Sequence, residues 1–269
     1  MIGFVGGGNM AEAIIKGIRS QGSGVIRDIL VSEPREERRR YLEQTYHIRT
    51  TDSNRDVATE CNIIILAIKP QNMAEVLDEI AGLITEEKTI VSIAAGIPLS
   101  YLQQRLRTKK LIRVMPNTPS LVQEGMSVLS LCECFPDKDI ALVREIFMSI
   151  GKVLTLPERY MNTVTALSGS GPAFIAMFVE LMIMAGIELG LSRDIASELT
   201  IQTLIGTARM IETGMPPERV REMVTSPRGT TEAGLKAFEE KGLSDIVYYA
   251  LKKAAERAEE LGRLHVHPR

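Results

Sequence analysis

The sequence predicts an α/β protein in which a doubly wound sheet is followed by an all-helical domain. In the first half, short β-rich apolar runs alternate with helical patterns. One of those runs, Ile63-Ile64-Ile65-Leu66, is apolar without a break, as parallel strands covered on both faces are. The register then changes near Glu158–Tyr160, and only helical periodicity follows.

In chain order, residues 2–5 form a strand and 10–20 a helix with Ala11, Ile14, Ile15 and Ile18 on one face. Residues 29–32 are a second strand, 35–44 a charged helix, and a short helix follows Asn54. The apolar run lies within 62–68, and 90–93, 111–114 and 126–131 are further strands with helices between them. Beyond residue 160, helical patterns run over 161–167, 172–189, 193–213, 217–224, 230–241 and 243–262. Gly190, Gly214 and Gly242 stand where C-terminal caps belong, and Pro216 follows the second of them. A chain of 269 residues accommodates two such domains, here 1–159 and 160–269. At this size it buries roughly 70–75% of its unfolded surface and needs no disulfide or metal staple.

Charge argues against nucleic acid: Lys+Arg 32 against Asp+Glu 34 gives −2. The arginines of residues 35–40 alternate with Glu33, Glu36 and Glu37 and read as a solvated helix face. Residues 173–187 carry one charge, Glu180, and are apolar nearly all round; at about 15 residues the run falls short of the ~20 that span a bilayer. It reads as a core helix enclosed by a second subunit, with no membrane partner. Cys61, beside an apolar run, reads as a buried thiol; Cys132 and Cys134 flank one residue, which is not a ligand spacing, and the three His are scattered. No metal site follows. The start of the chain lacks the basic segment and apolar stretch of a signal peptide, and the cysteine usage suits a reducing cytoplasm.

The first strand runs into Gly6-Gly7-Gly8-Asn9-Met10-Ala11, a G-x-G-x-x-A loop between a strand and a helix. Gly6 permits the tight turn, Gly8 lets the backbone approach a pyrophosphate, and Ala11 lets helix pack on strand; amides at Asn9 and Met10 then face the anion. The second strand ends Ser32-Glu33-Pro34-Arg35. Glu33 suits a free ribose 2′-hydroxyl, as in NADH, whereas Ser32 and Arg35 suit a 2′-phosphate, as in NADPH; both coenzymes stay open. Lys69-Pro70 ends the apolar strand at the edge where dinucleotides lie in such sheets.

These residues resemble the pyrroline-5-carboxylate reductases. The likeness covers the opening from Gly3 to Ile14, then Leu66-Ala67-Ile68-Lys69-Pro70-Gln71, Ser92-Ile93-Ala94-Ala95-Gly96-Ile97 and Arg113-Val114-Met115-Pro116-Asn117-Thr118-Pro119. It continues through Ala166-Leu167-Ser168-Gly169-Ser170-Gly171-Pro172-Ala173 and, most specifically, Val224-Thr225-Ser226-Pro227-Arg228-Gly229-Thr230-Thr231-Glu232-Ala233-Gly234-Leu235. The resemblance implies a Rossmann-type domain with a helical substrate-binding and dimerisation domain, a homodimer that can assemble further, and reduction of 1-pyrroline-5-carboxylate to L-proline by NADPH or NADH. It implies that Asn54, Ala67, Ala95 and Asn117 line the coenzyme cleft. It also puts Thr231 at the substrate. A paralogue acting on a related cyclic imine, or a non-catalytic NAD(P)-binding protein, is the alternative.

Reducing a cyclic imine that carries a carboxylate requires an anion pocket, a hydrogen-bond partner for the nitrogen and a dry slot aligning two rings. Residues 226–231 lead into a helix whose first amides can hold a carboxylate without a cationic side chain. Ser226, Gly229 and Thr230 fall to carboxylate binding, Thr231 to the nitrogen, and Ser170 to the substrate side; Thr230 or Thr231 as a plain helix cap is the alternative. One departure from the family pattern is Arg228, where a glycine is expected: if that position needs positive φ, the arginine costs about 1 kcal/mol. Otherwise it is a neutral variation or a new cation at the mouth of the site. Residues 215–217 also lack the polar groups expected there.

Overall fold

The structure is a computed structural model; it describes residues 1–21, 28–132 and 137–266, with backbone only for 137–139 and 264–266. Cys134 and His267 lie outside the described residues, as does the side chain of His265. Contacts divide the chain into one unit of Met1–Ser170 with Lys253–Arg269, and a second of Gly171–Lys252.

The first unit is built on an 8-stranded sheet of order β3-β2-β1-β4-β5-β6-β7-β8. Its strands are β1 (Ile2–Val5), β2 (Ile29–Ser32), β3 (Arg49–Thr51), β4 (Ile63–Leu66), β5 (Thr89–Ser92), β6 (Leu111–Met115), β7 (Gly125–Leu131) and β8 (Gly151–Thr155). β1 to β6 are mutually parallel; β7 runs antiparallel to β6, and β8 parallel to β7. The helices are α1 (Asn9–Ser20), α2 (Glu36–Tyr46), α3 (Asn54–Glu60), α4 (Met73–Ile80), α5 (Leu99–Arg105), α6 (Asp137–Met148) and α7 (Met161–Val164).

The unbroken apolar run has a direct structural cause. Ile64 and Leu66 of β4 point into one core with Val57 of α3, Leu77 of α4 and Leu102 of α5. Ile65 points into the other, with Ile14 and Ile15 of α1 and Phe147 of α6. Each strand residue is thus covered, whichever face it takes. Two strands were not predicted. β3 is a polar edge strand, Arg-Thr-Thr, and β8 an edge strand with Lys152, Leu154 and Thr155 exposed; neither needs an apolar sequence.

The second unit holds α8 (Gly171–Glu188), α9 (Arg193–Glu212), α10 (Pro217–Met223), α11 (Thr230–Glu240) and the start of α12 (Leu243–Val266), whose later part belongs to the first unit. Gly190, Gly214 and Gly242 have φ of 103°, 95° and 70°, the left-handed caps the sequence predicts. The structure corrects the length expected for this apolar helix. The helical run is 31 residues, Glu158–Glu188, and so long enough to cross a membrane. Within the chain α8 is not enclosed: Met177 is 60% exposed and Ile175 54%.

Gly3 shows how closely the first unit packs. A Cβ there would lie 2.4 Å from Val57 Cγ1 and 2.8 Å from Cys61 Sγ. Gly3→Ala is expected to cost about 1–3 kcal/mol by overpacking. The urea midpoint should fall at constant slope, and Val57→Ala in the same chain should recover part of the loss. An unchanged midpoint would mean that α3 shifts freely.

Candidate active site

The ends of β1, β2, β4, β5 and β6 open on one edge of the sheet, and β1 and β4 lie side by side where the strand order reverses. Ligands of doubly wound sheets bind outside such a switch point. Gly6 has a φ of 97°, and a Cβ on it would meet the Ala67 carbonyl oxygen at 2.6 Å. Gly8 caps α1 in extended conformation without a side-chain partner, and a Cβ on it would meet nothing within 4 Å. The amides of Asn9, Met10 and Ala11 lack intrahelical acceptors at the positive end of the helix dipole, and the space over Gly8 before them is open. Ala11 itself is fully buried, as close helix–strand packing requires.

The Gly7 peptide is gripped from both sides by the segment after β2. Its N–H donates to Glu33 Oε2 at 3.2 Å, and its carbonyl accepts from Arg38 Nε at 2.8 Å. Arg38 continues to Glu12 Oε2, and Glu12 Oε1 accepts from Tyr41 and Tyr46 at 2.9 and 2.7 Å. Burial pushes the Glu12 carboxyl up, but the hydrogen bonds from Tyr46, Arg38 and Tyr41 hold it below the usual carboxylate value. Glu33 follows the same logic: burial raises it, and Arg35 and Gly7 more than reverse the effect.

Residues 35–40 are thus only in part a solvated face. Arg40 pairs with Glu36 across exposed surface, but Arg38 is largely buried against the glycine loop. Arg39 Nη1 donates to the Glu33 and Pro34 carbonyls at 2.7 and 2.9 Å. Arg38 is the residue holding the glycine loop that the sequence reading did not single out. Its only signal was position, one turn after Arg35 on the helix that faces the loop.

Ser32 is buried, and its hydroxyl donates to Asn54 Oδ1 at 2.8 Å; Asn54 Nδ2 reaches Glu79 Oε2 at 2.7 Å. Asn54 begins α3 behind Ser53, the N-cap, and does not itself cap the helix. Lys69 is exposed and precedes the helical turn Pro70–Asn72, with Pro70 at its first position. Gly96, after β5, has a φ of 75° and lies under α12, where a Cβ would come 3.0 Å from Leu261 Cβ; Ala95 beside it is half-buried. Asn117, after β6, accepts from Met126 N at 2.8 Å and donates to the Ser168 carbonyl at 3.2 Å. It ties the sheet edge to Thr165–Gly169, a π-helical turn in which Ser170 N bonds back to the Thr165 carbonyl at 2.8 Å. Ser168 and Gly169 therefore lie on a π turn, a feature frequent at functional sites, and Ser170 caps it.

The second unit carries its own glycine-led helix start. Gly229 N donates to the Ser226 carbonyl at 3.0 Å, with Pro227 and Arg228 as the central residues. Arg228 has a φ of 61°. Proline followed by positive φ is the type II pattern, in which glycine is favoured at the second central position. The strained reading of Arg228 is thus the observed one. A Cβ on Gly229, the N-cap of α11, would lie 2.4 Å from Ser226 Oγ, which would have to turn away, and 3.0 Å from the Ser226 carbonyl oxygen. No side chain caps α11, so Thr230 and Thr231 are not there as caps, and the first amides of the helix stay open. Glu232 Oε2 accepts from Arg228 N and fixes the turn from within.

Comparison with known proteins identifies this arrangement. Residues 158–261 match the family model for pyrroline-5-carboxylate reductase dimerisation, and residues 1–96 match that for NADP oxidoreductase, coenzyme F420-dependent. The chain is 37% identical over 263 residues to a pyrroline-5-carboxylate reductase of Synechocystis, covering 97% of this chain and 98% of that one. It belongs to the pyrroline-5-carboxylate reductase family. The reductase of Vibrio alginolyticus is 40% identical, with 98% of each chain covered. Among solved structures, a pyrroline-5-carboxylate reductase from Coxiella burnetii superposes with a TM-score of 0.89 at 34% identity, with 97% of each chain covered. The Plasmodium falciparum pyrroline carboxylate reductase, solved with NADP bound, gives 0.86 at 30%, again covering 97% of each chain.

The conformation of Arg228 yields a prediction. Arg228→Gly should stabilise the protein by about 1 kcal/mol, because glycine adopts positive φ without the Cβ penalty. At this chain length that is a rise of roughly 2–4 °C in thermal midpoint. A midpoint that falls or stays put would show that Arg228 makes a compensating contact.

Proposed function

We propose that this chain reduces 1-pyrroline-5-carboxylate to L-proline, using NADH or NADPH. The observation that carries the reading is near-complete alignment with reductases of that name, through both anion-facing turns. Residues 1–159 serve as the dinucleotide-binding domain and 160–269 as the substrate-binding and dimerisation domain.

The open space over Gly8 and the unpaired amides beyond it fit a dinucleotide pyrophosphate. When bound, the reduced nicotinamide supplies the hydride that the imine carbon takes up. Gly6, Gly8, Asn9 and Met10 hold the pyrophosphate; Ser32, Glu33, Arg35 and Asn54 shape the adenosine end; Ala67, Lys69, Pro70, Ala95, Gly96 and Asn117 line the rest of the edge. Ser226, Gly229 and Thr230 grip the substrate carboxylate through the first amides of α11. Thr231, half-buried at the second position of that helix, offers its hydroxyl to the ring nitrogen, and Ser170 borders the substrate. A protonated imine is already a good hydride acceptor, so holding the two rings in line supplies much of the acceleration.

The apolar surface of the second unit supports a homodimer. Among its described residues Ala196, Thr200 and Val220 are buried, while Met177, Leu181, Leu199 and Ile205 are 60%, 51%, 56% and 42% exposed. A contiguous apolar surface of this kind marks a protein interface. The same observation argues for a subunit rather than a lipid neighbour. The start of the 31-residue helical run, with Met161, Val164 and Ala166 buried, belongs to the first unit, which leaves the 18 residues of α8. Free Cys61 and Cys132 suit a reducing cytoplasm; burial raises the Cys61 thiol to about 11, so it stays protonated and unreactive.

Loss of reduced-nicotinamide absorbance on adding 1-pyrroline-5-carboxylate tests the reading, and no turnover with either coenzyme would refute it. Thr231→Ala should lower kcat/KM by roughly tenfold, the worth of one hydrogen bond to a charged group. Wild-type kinetics would remove Thr231 from its role. Light scattering at micromolar concentration should give at least twice the chain mass; a single-chain mass would contradict the dimer.

A further inference from the structure

We propose that Glu33 makes the coenzyme site selective for a dinucleotide with a free 2′-hydroxyl on its adenosine ribose, so that the chain favours NADH over NADPH. The inference rests on reading residues 6–11 as the dinucleotide loop and adds which of the two coenzymes that loop accepts.

Position comes first. Ser32, the last residue of β2, accepts the Gly6 N–H at 2.9 Å through its carbonyl, so Glu33 stands directly beside the glycine loop. In a doubly wound sheet that is where the adenosine ribose lies, and an acid there accepts from its hydroxyls.

Glu33 is also fixed. Oε2 accepts from Gly7 N at 3.2 Å, and Oε1 from Arg35 N at 3.2 Å and Arg35 Nε at 2.8 Å. The side chain is only 7% exposed. A carboxylate offers about four lone-pair sites, so these bonds leave room for a ribose hydroxyl. To swing aside for a phosphate, Glu33 would have to release both the glycine loop and Arg35.

The groups that would welcome a 2′-phosphate are otherwise engaged. The Ser32 hydroxyl points to Asn54 Oδ1. Arg38 is spent on the Gly7 carbonyl and Glu12, Arg39 on the Glu33 and Pro34 carbonyls, and Arg40 on Glu36. Arg35 stands beside Glu33, but it is paired with it and 70% exposed. An exposed, already paired guanidinium attracts a phosphate weakly through solvent, whereas a buried carboxylate repels it at short range. The fixed negative charge decides the selectivity.

Equilibrium dissociation constants of the full-length protein for NADH and NADPH, from nucleotide fluorescence or calorimetry, test this without turnover. NADH should bind at least about tenfold more tightly, and Glu33→Ser should erase or reverse that ratio, chiefly by tightening NADPH. NADPH binding as tightly as NADH to the wild type would overturn the proposal, as would a folded Glu33→Ser protein with the wild-type ratio. Arg35→Ala covers the case in which Glu33→Ser fails to fold: selective weakening of NADPH would show that Arg35 holds a 2′-phosphate and that Glu33 does not govern the choice, while an unchanged or larger NADPH affinity supports it. If neither nucleotide binds, the reading of the glycine loop itself falls, which is a different failure from a wrong preference.

Discussion

The carbonyl of Ala67 constrains the whole carboxyl edge of the sheet. It stands 2.6 Å from the point where a Cβ on Gly6 would sit, so β1 and β4 can leave the sheet side by side only if the first loop residue has no side chain and takes positive φ. That turn starts α1 at Asn9 and leaves its first amides without acceptors. Gly7 is then pressed against Leu42 and Glu33, where a Cβ would come within 3.0 and 3.2 Å. The loop is thus held by steric exclusion on one side and by Glu33 and Arg38 on the other.

Holding a glycine loop with charged side chains has a cost. Burying Glu12, Glu33 and Arg38 strips them of water, which by itself is unfavourable. The arrangement satisfies each carboxylate oxygen: Glu12 with Arg38, Tyr41 and Tyr46, Glu33 with Gly7 and Arg35. Such a network contributes little net stability compared with an apolar cluster of similar volume. Its advantage is directional, since hydrophobic contacts would leave the Gly7 peptide free to rotate, whereas donor and acceptor at its two ends do not.

Much of the fold was legible because its causes are local. Two-sided burial produces Ile63-Ile64-Ile65-Leu66, and left-handed caps produce Gly190, Gly214 and Gly242. What escaped the sequence is set by tertiary context. β3 and β8 are edge strands with one exposed side, and the reversed direction of β7 leaves no mark on side-chain periodicity. The π turn at Thr165–Gly169 is tied to the sheet edge by Asn117, which donates to the Ser168 carbonyl from 51 residues away. At the site, the residue types were readable but their engagement was not. Glu33 and Arg35 gave opposing signals as letters; as atoms they are one ion pair, 2.8 Å apart, anchored to the glycine loop. The glycine expected at position 228 was legible from the family pattern, but that the arginine accepts the left-handed conformation instead required φ itself.

The starts of α1 and α11 rely on the same device. Gly8 before α1 and Gly229 before α11 are N-caps in extended conformation, with φ and ψ of −72° and −176°, and −87° and 173°. Neither helix start carries a side-chain cap, although Ser, Thr, Asp or Asn would stabilise an isolated helix there by roughly 1 kcal/mol. On the proposed function, a capping side chain would occupy the amides that an incoming phosphate or carboxylate must find open. On that same proposed function, the glycine at each start gives up a small amount of helix stability so that the binding energy of the helix terminus is reserved for a ligand. Fixed amides also bring no counter-charge and no long side chain to immobilise, so little entropy is lost when the anion arrives. At the glycine loop the cations act on the protein itself, Arg38 holding the Gly7 carbonyl and Arg35 the Glu33 carboxylate.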